Sequence, residues 1–290
     1  MTVLTQTHPR TRGRLAAFLA RAFARPSFVI GIAILGLSLA LALFPQLFAP
    51  YDSLAFDLQA IQQGPSLAHP FGTDNFGRDV LSRVIWAYRV DMQMAFFATI
   101  FALLIGLTVG AFVGYYGGIA DVIFGRCVDA FITFPFLVLV IAIVAVLGPG
   151  LVNMYVAITA VNWVYYARLT RAEIMAQKAN DYAAAGRVLG YSDRRIIFRH
   201  LLPNCLPPLI VVATMRVAYA IMLEATLSFL GIGLQPPAVS WGLSIADASS
   251  IGLVRQTPHM LIFPSIFLSV TVLAFIMLGD AVRDALDPKL

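Results

Sequence analysis

The sequence predicts an all-α membrane protein with six transmembrane helices, and three observations carry that prediction. Hydrophobic residues make up 60% of the 290-residue chain and charged residues only 12%, about half the charged fraction of a typical soluble domain. Several uncharged apolar runs reach the roughly 20 residues that a helix needs to cross a bilayer core about 30 Å thick. Positive charge is abundant in alternate loops and sparse in the others.

The apolar runs place the individual spans. In chain order they are predicted at 27–49, 92–116, 128–147, 151–172, 206–227 and 258–279. Turn formers at 147–150 separate the third and fourth spans. The fifth is expected to begin near Pro207 and Pro208, because proline is tolerated in a first helical turn. Pro135 and Pro264 are interpreted as kinks inside the third and sixth spans.

The segments between the spans differ in character. Residues 1–26 precede the first span, and 50–91 and 228–257 are two long segments on one side of the membrane. Both are rich in Trp, Phe and Gly and too apolar for solvated tails, so we expect short interfacial helices in them. Residues 92–290 are predicted to form the core of the protein. No small-x-small cleavage site precedes Tyr51, so the first run is interpreted as a span and not a signal peptide.

Positive charge orients the predicted spans. Six spans place both termini on one side together with the loops after spans two and four, and lysine and arginine mark that side as cytoplasmic. The opposite side carries only Arg78, Arg83, Arg89 and Arg255. The cytoplasmic side carries Arg10, Arg12, Arg14, Arg21, Arg25, Arg126, Arg168, Arg171, Lys178, Arg187, Arg194, Arg195, Arg199, Arg283 and Lys289.

The sequence lacks the signatures of several function classes. The formal charge of +5 is dispersed between apolar runs, which argues against a nucleic-acid-binding patch. Neither lysine, Lys178 or Lys289, stands in a Gly-rich phosphate-binding loop, and there is no Gly-x-Ser-x-Gly elbow. The four histidines, His8, His69, His200 and His259, are scattered without metal-ligand spacing. We therefore predict a non-catalytic chain that binds no metal or cofactor itself.

The two cysteines have a separate interpretation. Cys127 and Cys205 both fall in segments at or near the predicted cytoplasmic side. A disulfide framework is not expected there, so both are interpreted as packing residues.

Residues 181–204, the cytoplasmic loop after the fourth span, are predicted to form two short helices around a glycine. Gly190 can supply the left-handed turn that ends the first helix, and Ser192 or Asp193 can cap the second. Ile196, Ile197, Leu201 and Leu202 give the second helix an apolar face. Composition alone supports an alternative equally well, in which the segment is an amphipathic helix that lies on the lipid headgroups.

The spacing in this loop resembles the EAA loop of ABC-importer permeases, whose pattern ends in Leu-Pro. Ala184 stands where that pattern has Glu, and His200 stands where it has Ile. The resemblance implies a coupling helix that docks on a cytoplasmic ATPase. The residues assigned to this coupling loop are Ala184, Ala185, Gly186, Arg187, Gly190, Ser192, Asp193, Leu202 and Pro203.

Further stretches are similar to the dipeptide, oligopeptide and nickel permease family. They are residues 69–83, 228–242 and 278–288, with Ile276 in place of an Asn common in the family. The resemblance implies the six-helix type I ABC importer permease (MetI-like) fold in a bacterial inner membrane. It also implies four kinds of partner: membrane lipid, a homologous second permease, two ATPase subunits that use ATP and Mg, and an external solute-binding protein that is periplasmic or lipid-anchored. Peptides are the predicted solute, and a nickel or other metal chelate is the alternative.

Two features inside the spans remain. Gly106, Gly110 and Gly114 recur every four residues and predict a close helix contact, within this chain in preference to a subunit interface. Arg216 and Glu224 are the charges inside the fifth span, about 12 Å apart along a helix, and are not expected to pair. They are candidates for the solute pathway or a subunit contact. A secondary transporter or channel is the competing class, but it would need more converging polar groups in the spans.

Overall fold

The computed structural model describes residues 21–286. Residues 1–20 and 287–290 lie outside that part, and with them Arg10, Arg12, Arg14 and Lys289 of the predicted cytoplasmic side. The helices are α1 (Pro26–Leu43), α2 (Pro45–Phe48), α3 (Val80–Tyr116), α4 (Gly118–Thr133), α5 (Phe136–Leu147), α6 (Leu151–Lys178), α7 (Asp181–Val188), α8 (Asp193–Arg195), α9 (Leu202–Phe229), α10 (Trp241–Ala248), α11 (Ile251–Gln256) and α12 (His259–Leu286). A π-helical turn, Ile196–Leu201, joins α8 to α9. Over the described residues the all-helical prediction is confirmed.

Four helical stretches are long and apolar enough to cross a membrane. They are α1, α3, the continuous run Asp193–Phe229 and α12. The pair α4 and α5 gives a fifth if it counts as one broken span. Helix α6 has 28 residues, which is long enough, but it does not meet the same apolar criterion. The described residues therefore contain four or five candidate spans by length and composition.

The helix that contains the second predicted span starts before that span. Helix α3 starts at Val80 and not at residue 92. The reason is a cap: the Asp79 carboxylate accepts hydrogen bonds from the backbone N–H and the hydroxyl of Ser82, both at 2.7 Å. Arg83, Arg89 and Asp91 consequently belong to the same helix as the second predicted span.

The third predicted span is not one continuous helix. Helices α4 and α5 meet at Phe134 and Pro135 with a bend of 90°. Proline lacks an N–H donor and disfavours the helical conformation at the residue before it, so the helix is interrupted there. The interpretation of Pro135 as a kink is confirmed. Pro264 lies inside α12, which remains one helix.

The helix that contains the fifth predicted span starts earlier than that span. Helix α9 begins at Leu202, with Pro203 in its first turn, and Pro207 and Pro208 lie inside it. The helix thus extends beyond both ends of the span predicted at 206–227. A π-helical turn, Ile196–Leu201, precedes it.

The two long segments between predicted spans, 50–91 and 228–257, differ from each other. Residues 50–79 contain turns and one isolated bridge, Thr73 to Asp79, but no helix, so the expectation of an interfacial helix there is wrong. The segment after α9 contains the two short helices α10 and α11, as expected. Trp241 of α10 is fully buried and packs edge-on against Tyr88 of α3, with ring centroids 4.6 Å apart. This contact fixes α10 to α3.

Candidate functional site

The loop after α6 folds as two helices around a left-handed turn. Helix α7 ends at Val188, and Gly190 has a φ of +73°, which glycine adopts without steric cost. Ile196, Ile197 and Leu201 are buried beneath the loop and Leu202 is half-buried, as their spacing predicted.

The predicted side-chain cap is absent. Ser192 has the extended backbone of an N-cap, but neither it nor Asp193 makes a capping hydrogen bond to this helix. Instead the Tyr115 hydroxyl donates a 2.6 Å hydrogen bond to the Asp193 carboxylate. Lys178 donates to the backbone carbonyl of Tyr115. The loop is thus tied to the end of α3.

His200 has a packing role in this loop. Its ring stacks on Tyr191 with centroids 5.5 Å apart, and the Arg195 guanidinium lies 3.9 Å from the centre of the Tyr191 ring. Such a stack of cation and two rings holds the turn against the second helix.

The tip of the loop exposes apolar side chains. Val188 is 87% exposed and Leu189 is 67% exposed. Gly186 faces inward, whereas Ala184, Ala185, Arg187 and Pro203 are exposed. Exposed apolar residues at the tip of an ordered, anchored loop are typical of a surface that meets another protein.

The three glycines of α3 lie against α6. A methyl group on Gly106 would lie 2.8 Å from the backbone nitrogen of Ala167, and one on Gly110 would lie 2.7 Å from Cβ of Thr170. At Gly114 the Arg171 carbonyl oxygen would be 2.8 Å away. The glycines therefore permit close packing within this chain.

Arg216 lies in a cavity and does not contact Glu224. Its guanidinium stacks 3.7 Å from the ring centre of Tyr165 and 5.5 Å from that of Tyr219. The cavity has a volume of about 410 Å³ and is bounded by the break between α4 and α5, by α6 and by α9. Within residues 21–286 no carboxylate forms an ion pair with Arg216.

Glu224 is fully buried and faces a second buried acid, Asp91 of α3. Ser228 donates a 2.7 Å hydrogen bond to Glu224, and the Trp241 backbone N–H donates one of 3.0 Å to Asp91. Sequence reasoning missed Asp91 because it assigned that residue to the outer segment. The available signal was Asp79, a residue type that favours the N-cap position. A helix that begins after Asp79 has Asp91 as its twelfth residue.

A charged cluster joins the turn after residue 71 to α10. Asp74 accepts from Arg78 Nε at 2.7 Å and lies 3.5 Å from Arg83 Nε. Asp247 of α10 lies farther away, 3.7 Å from Arg78 and 4.0 Å from Arg83. Burial raises the pKa of Asp247, and the facing Arg83 and Arg78 guanidinium groups oppose that shift. The tighter half of the cluster is therefore the one around Asp74.

Cysteine and metal-ligand chemistry add little to these sites. Both cysteines are free; Cys205 is buried, but Cys127 is exposed, so its interpretation as a packing residue is wrong. Across the described residues, no group of three or more His, Cys, Asp or Glu side chains could hold a metal ion.

Long apolar helices with enclosed charges define an all-helical, multi-pass membrane protein. Residues 106–290 match the family described as binding-protein-dependent transport system inner membrane component, and the chain belongs to that family. It is a permease subunit of an ABC importer and an inner-membrane protein. Members of this family are membrane permease subunits that are not themselves catalytic.

Similar proteins extend over nearly the whole chain. The glutathione transport system permease protein GsiD of Pectobacterium atrosepticum is 40% identical over 88% of this chain and 84% of its own length. The dipeptide transport system permease protein DppC of Alkalihalophilus pseudofirmus is 38% identical over 90% of this chain and 86% of its own. GsiD of Escherichia coli O157:H7 is 39% identical over 88% and 84%.

Proposed function

We propose that this chain forms, with a homologous second permease, the translocation path of an importer for short peptides. The observation that carries the proposal is its similarity, over about nine tenths of its length, to proteins named as dipeptide and glutathione permeases. A nickel or metal-chelate solute remains the alternative within the family. The peptide assignment is favoured because peptides are the solutes in the names of the similar proteins.

The proposed importer contains two ATPase subunits that bind ATP and Mg, and an external solute-binding protein. Solute passes from that protein into the membrane path, and nucleotide binding drives the change in access. The proposed core is residues 92–290, and residues 1–26 are a cytoplasmic segment.

Six spans are part of the proposal, with both termini in the cytoplasm. The four apolar helices, the broken pair α4 and α5, and α6 would make up the six. Helix α6 supports this count because its polar side chains need not meet lipid: Asn162 and Thr170 are buried against the protein. The close glycine contact of α3 with α6 supports the same arrangement.

Residues 181–204 are the proposed coupling loop. Its exposed tip, Val188 and Leu189, would insert into the ATPase, while Ile196, Ile197 and Leu201 anchor it to the bundle. Movement of the ATPase would then pass through the run Asp193–Phe229 directly into the membrane. Continuity of that helix supports a mechanical role, since a rigid element transmits displacement over its length.

The test is replacement of Gly190 by proline, whose φ near −65° is incompatible with the observed +73°. We expect Gly190→Pro to assemble in the membrane but to lose stimulation of ATP hydrolysis by the solute-loaded binding protein. The matched control is Gly148→Pro, at a turn glycine with φ of +87° in the hairpin between α5 and α6. Wild-type uptake by Gly190→Pro would contradict the coupling assignment.

A further inference from the structure

The cavity around Arg216 is lined on one side by polar groups from two helices. Asn162, Tyr165 and Arg168 are spaced three residues apart on α6, and Arg216 and Tyr219 are spaced three apart on α9. Residues three apart on a helix share a face, so each helix turns one polar face toward the same space. The opposite wall is apolar and comes from the bend at Pro135.

The charge in this cavity is unbalanced. Both Arg168 and Arg216 line it, yet none of the residues within 21–286 that line it is acidic. Asn162, which is only 4% exposed, adds a polar amide to the same lining. Two guanidinium groups and an amide offer several N–H donors to one space.

The position of Arg216 makes the missing counter-charge significant. It stands near the middle of the 28-residue helix α9, about 20 Å from either end at about 1.5 Å per residue. A charge at that depth is costly unless it faces a partner or a water-filled cavity. Stacking on Tyr165 occupies only the guanidinium face, so the N–H donors in its plane stay available.

We propose that this cavity binds the carboxylate of the translocated solute, with Arg216 as its principal donor and Arg168 as a second. The inference rests on the proposed function, since a short peptide carries a carboxylate at its end. A volume of about 410 Å³ suits such a solute, because small-molecule sites typically enclose about 300–1,000 Å³. Planar guanidinium groups bind carboxylates through paired hydrogen bonds. Arg216 would thus contribute to solute selection inside the membrane.

The test compares two probes that differ only in the carboxylate: the dipeptide alanyl-alanine and its C-terminal amide. The importer is purified with its partner permease, ATPases and binding protein, reconstituted into vesicles, and assayed for maximal uptake with each probe saturating. The rate of each variant is divided by the wild-type rate for the same probe. Any preference of the binding protein cancels in that ratio.

We expect Arg216→Gln to lower the ratio for alanyl-alanine by about tenfold more than the ratio for its amide, which corresponds to about 1.4 kcal/mol. Arg168→Gln should shift the two ratios in the same direction. Arg168 is exposed, so its replacement should not prevent assembly. If Arg216→Gln does not assemble, Arg168→Gln tests the carboxylate site in its place. Arg126→Gln, whose side chain is 83% exposed on α4 outside the cavity, is the control and should leave both ratios near one.

Equal ratios for the two probes would overturn the inference. If the uptake ratios for the two probes fell together and the partner permease no longer copurified, the carboxylate that Arg216 binds would belong to that permease and not to the solute. If the wild-type importer transported neither probe, the proposed peptide function would fail, and this inference with it. Uptake of both probes with equal loss in Arg216→Gln leaves the peptide function intact and removes only the carboxylate site.

Discussion

Two carboxyl groups, Asp91 and Glu224, face each other inside the protein. Both are fully buried, and Asp91 Oδ1 and Glu224 Oε2 have no hydrogen-bond partner among the described residues. Two buried carboxylates that face each other repel strongly in a low-dielectric interior, so we expect one proton to be shared between them.

We predict that Glu224→Gln preserves this site and Glu224→Ala does not. An amide can donate the hydrogen bond that the shared proton supplies, whereas alanine removes the acceptor of the Ser228 hydroxyl and leaves Asp91 Oδ1 unpartnered, at a cost of about 1–3 kcal/mol. Thermal unfolding of the two purified variants in detergent measures the difference. Equal loss of stability in both would contradict the shared-proton arrangement.

Single residues were predicted unevenly from the sequence. Gly190 was identified correctly as a left-handed turn, because glycine after a helical pattern has few other uses. The contact of Asp91 with Glu224 could not be predicted, because it joins residues 133 positions apart through packing of α3 on α9. Likewise the stacking of Arg216 on Tyr165 depends on how α6 meets α9.

At the scale of elements, the glycines of α3 determine how closely it packs on α6. We predict that Gly110→Leu disrupts this contact, since even the first added carbon would lie 2.7 Å from Thr170 Cβ. Overpacking costs typically about 1–3 kcal/mol. The yield of monodisperse protein after detergent extraction measures the effect.

The control for that prediction is Gly36→Leu in α1. Gly36 is exposed, and no atom of the described residues 21–286 lies within 4 Å of a carbon added to it. The yield of Gly36→Leu should match the wild type. A yield for Gly110→Leu equal to that of the control would show that the contact between α3 and α6 is not tight.

The charged cluster that joins the turn after residue 71 to α10 gives a prediction with its own internal control. Asp74 is buried and accepts from the backbone N–H groups of Phe76 and Arg78 as well as from the Arg78 side chain. Losing such a buried partner costs about 3–5 kcal/mol. The side chain of Asp247 is 43% exposed and its ion pairs are long, which limits its contribution to about 1 kcal/mol or less.

Asp74→Asn should therefore lower the thermal unfolding midpoint markedly, while Asp247→Asn should shift it only slightly. Both variants remove one negative charge facing the same two arginines, so net charge is matched. Similar shifts in the two variants would mean that long-range charge, and not the local hydrogen bonds, holds the turn to α10.

Element boundaries followed from local chemistry where the sequence contains a clear signal. The break at Pro135 and the hairpin at 147–150 were predicted because proline and glycine act locally. The start of α3 at Val80 follows from the Asp79 cap, which hydropathy does not register. The start of α9 at Leu202 precedes Pro207 and Pro208, which by themselves resemble the first turn of a helix.

At the scale of the whole molecule, composition predicted the class of protein reliably. A chain with 60% hydrophobic residues and long uncharged runs has few alternatives to a helical membrane bundle. Hydropathy alone could not interpret the polarity of α6, because Asn162 and Thr170 are buried against other helices and Tyr165 and Arg168 line the Arg216 cavity. Knowing which face of a helix meets lipid requires the packing of the other helices.

A permease subunit of an ABC importer works only in a complex with its partners. Affinity purification of the tagged chain from its own membranes in mild detergent, with mass-spectrometric identification of the copurifying proteins, shows whether that complex exists. We expect an ABC ATPase and a second, homologous permease in stable association with the chain. Recovery of the chain alone, or only with copies of itself, under several mild detergents would rule out the importer complex.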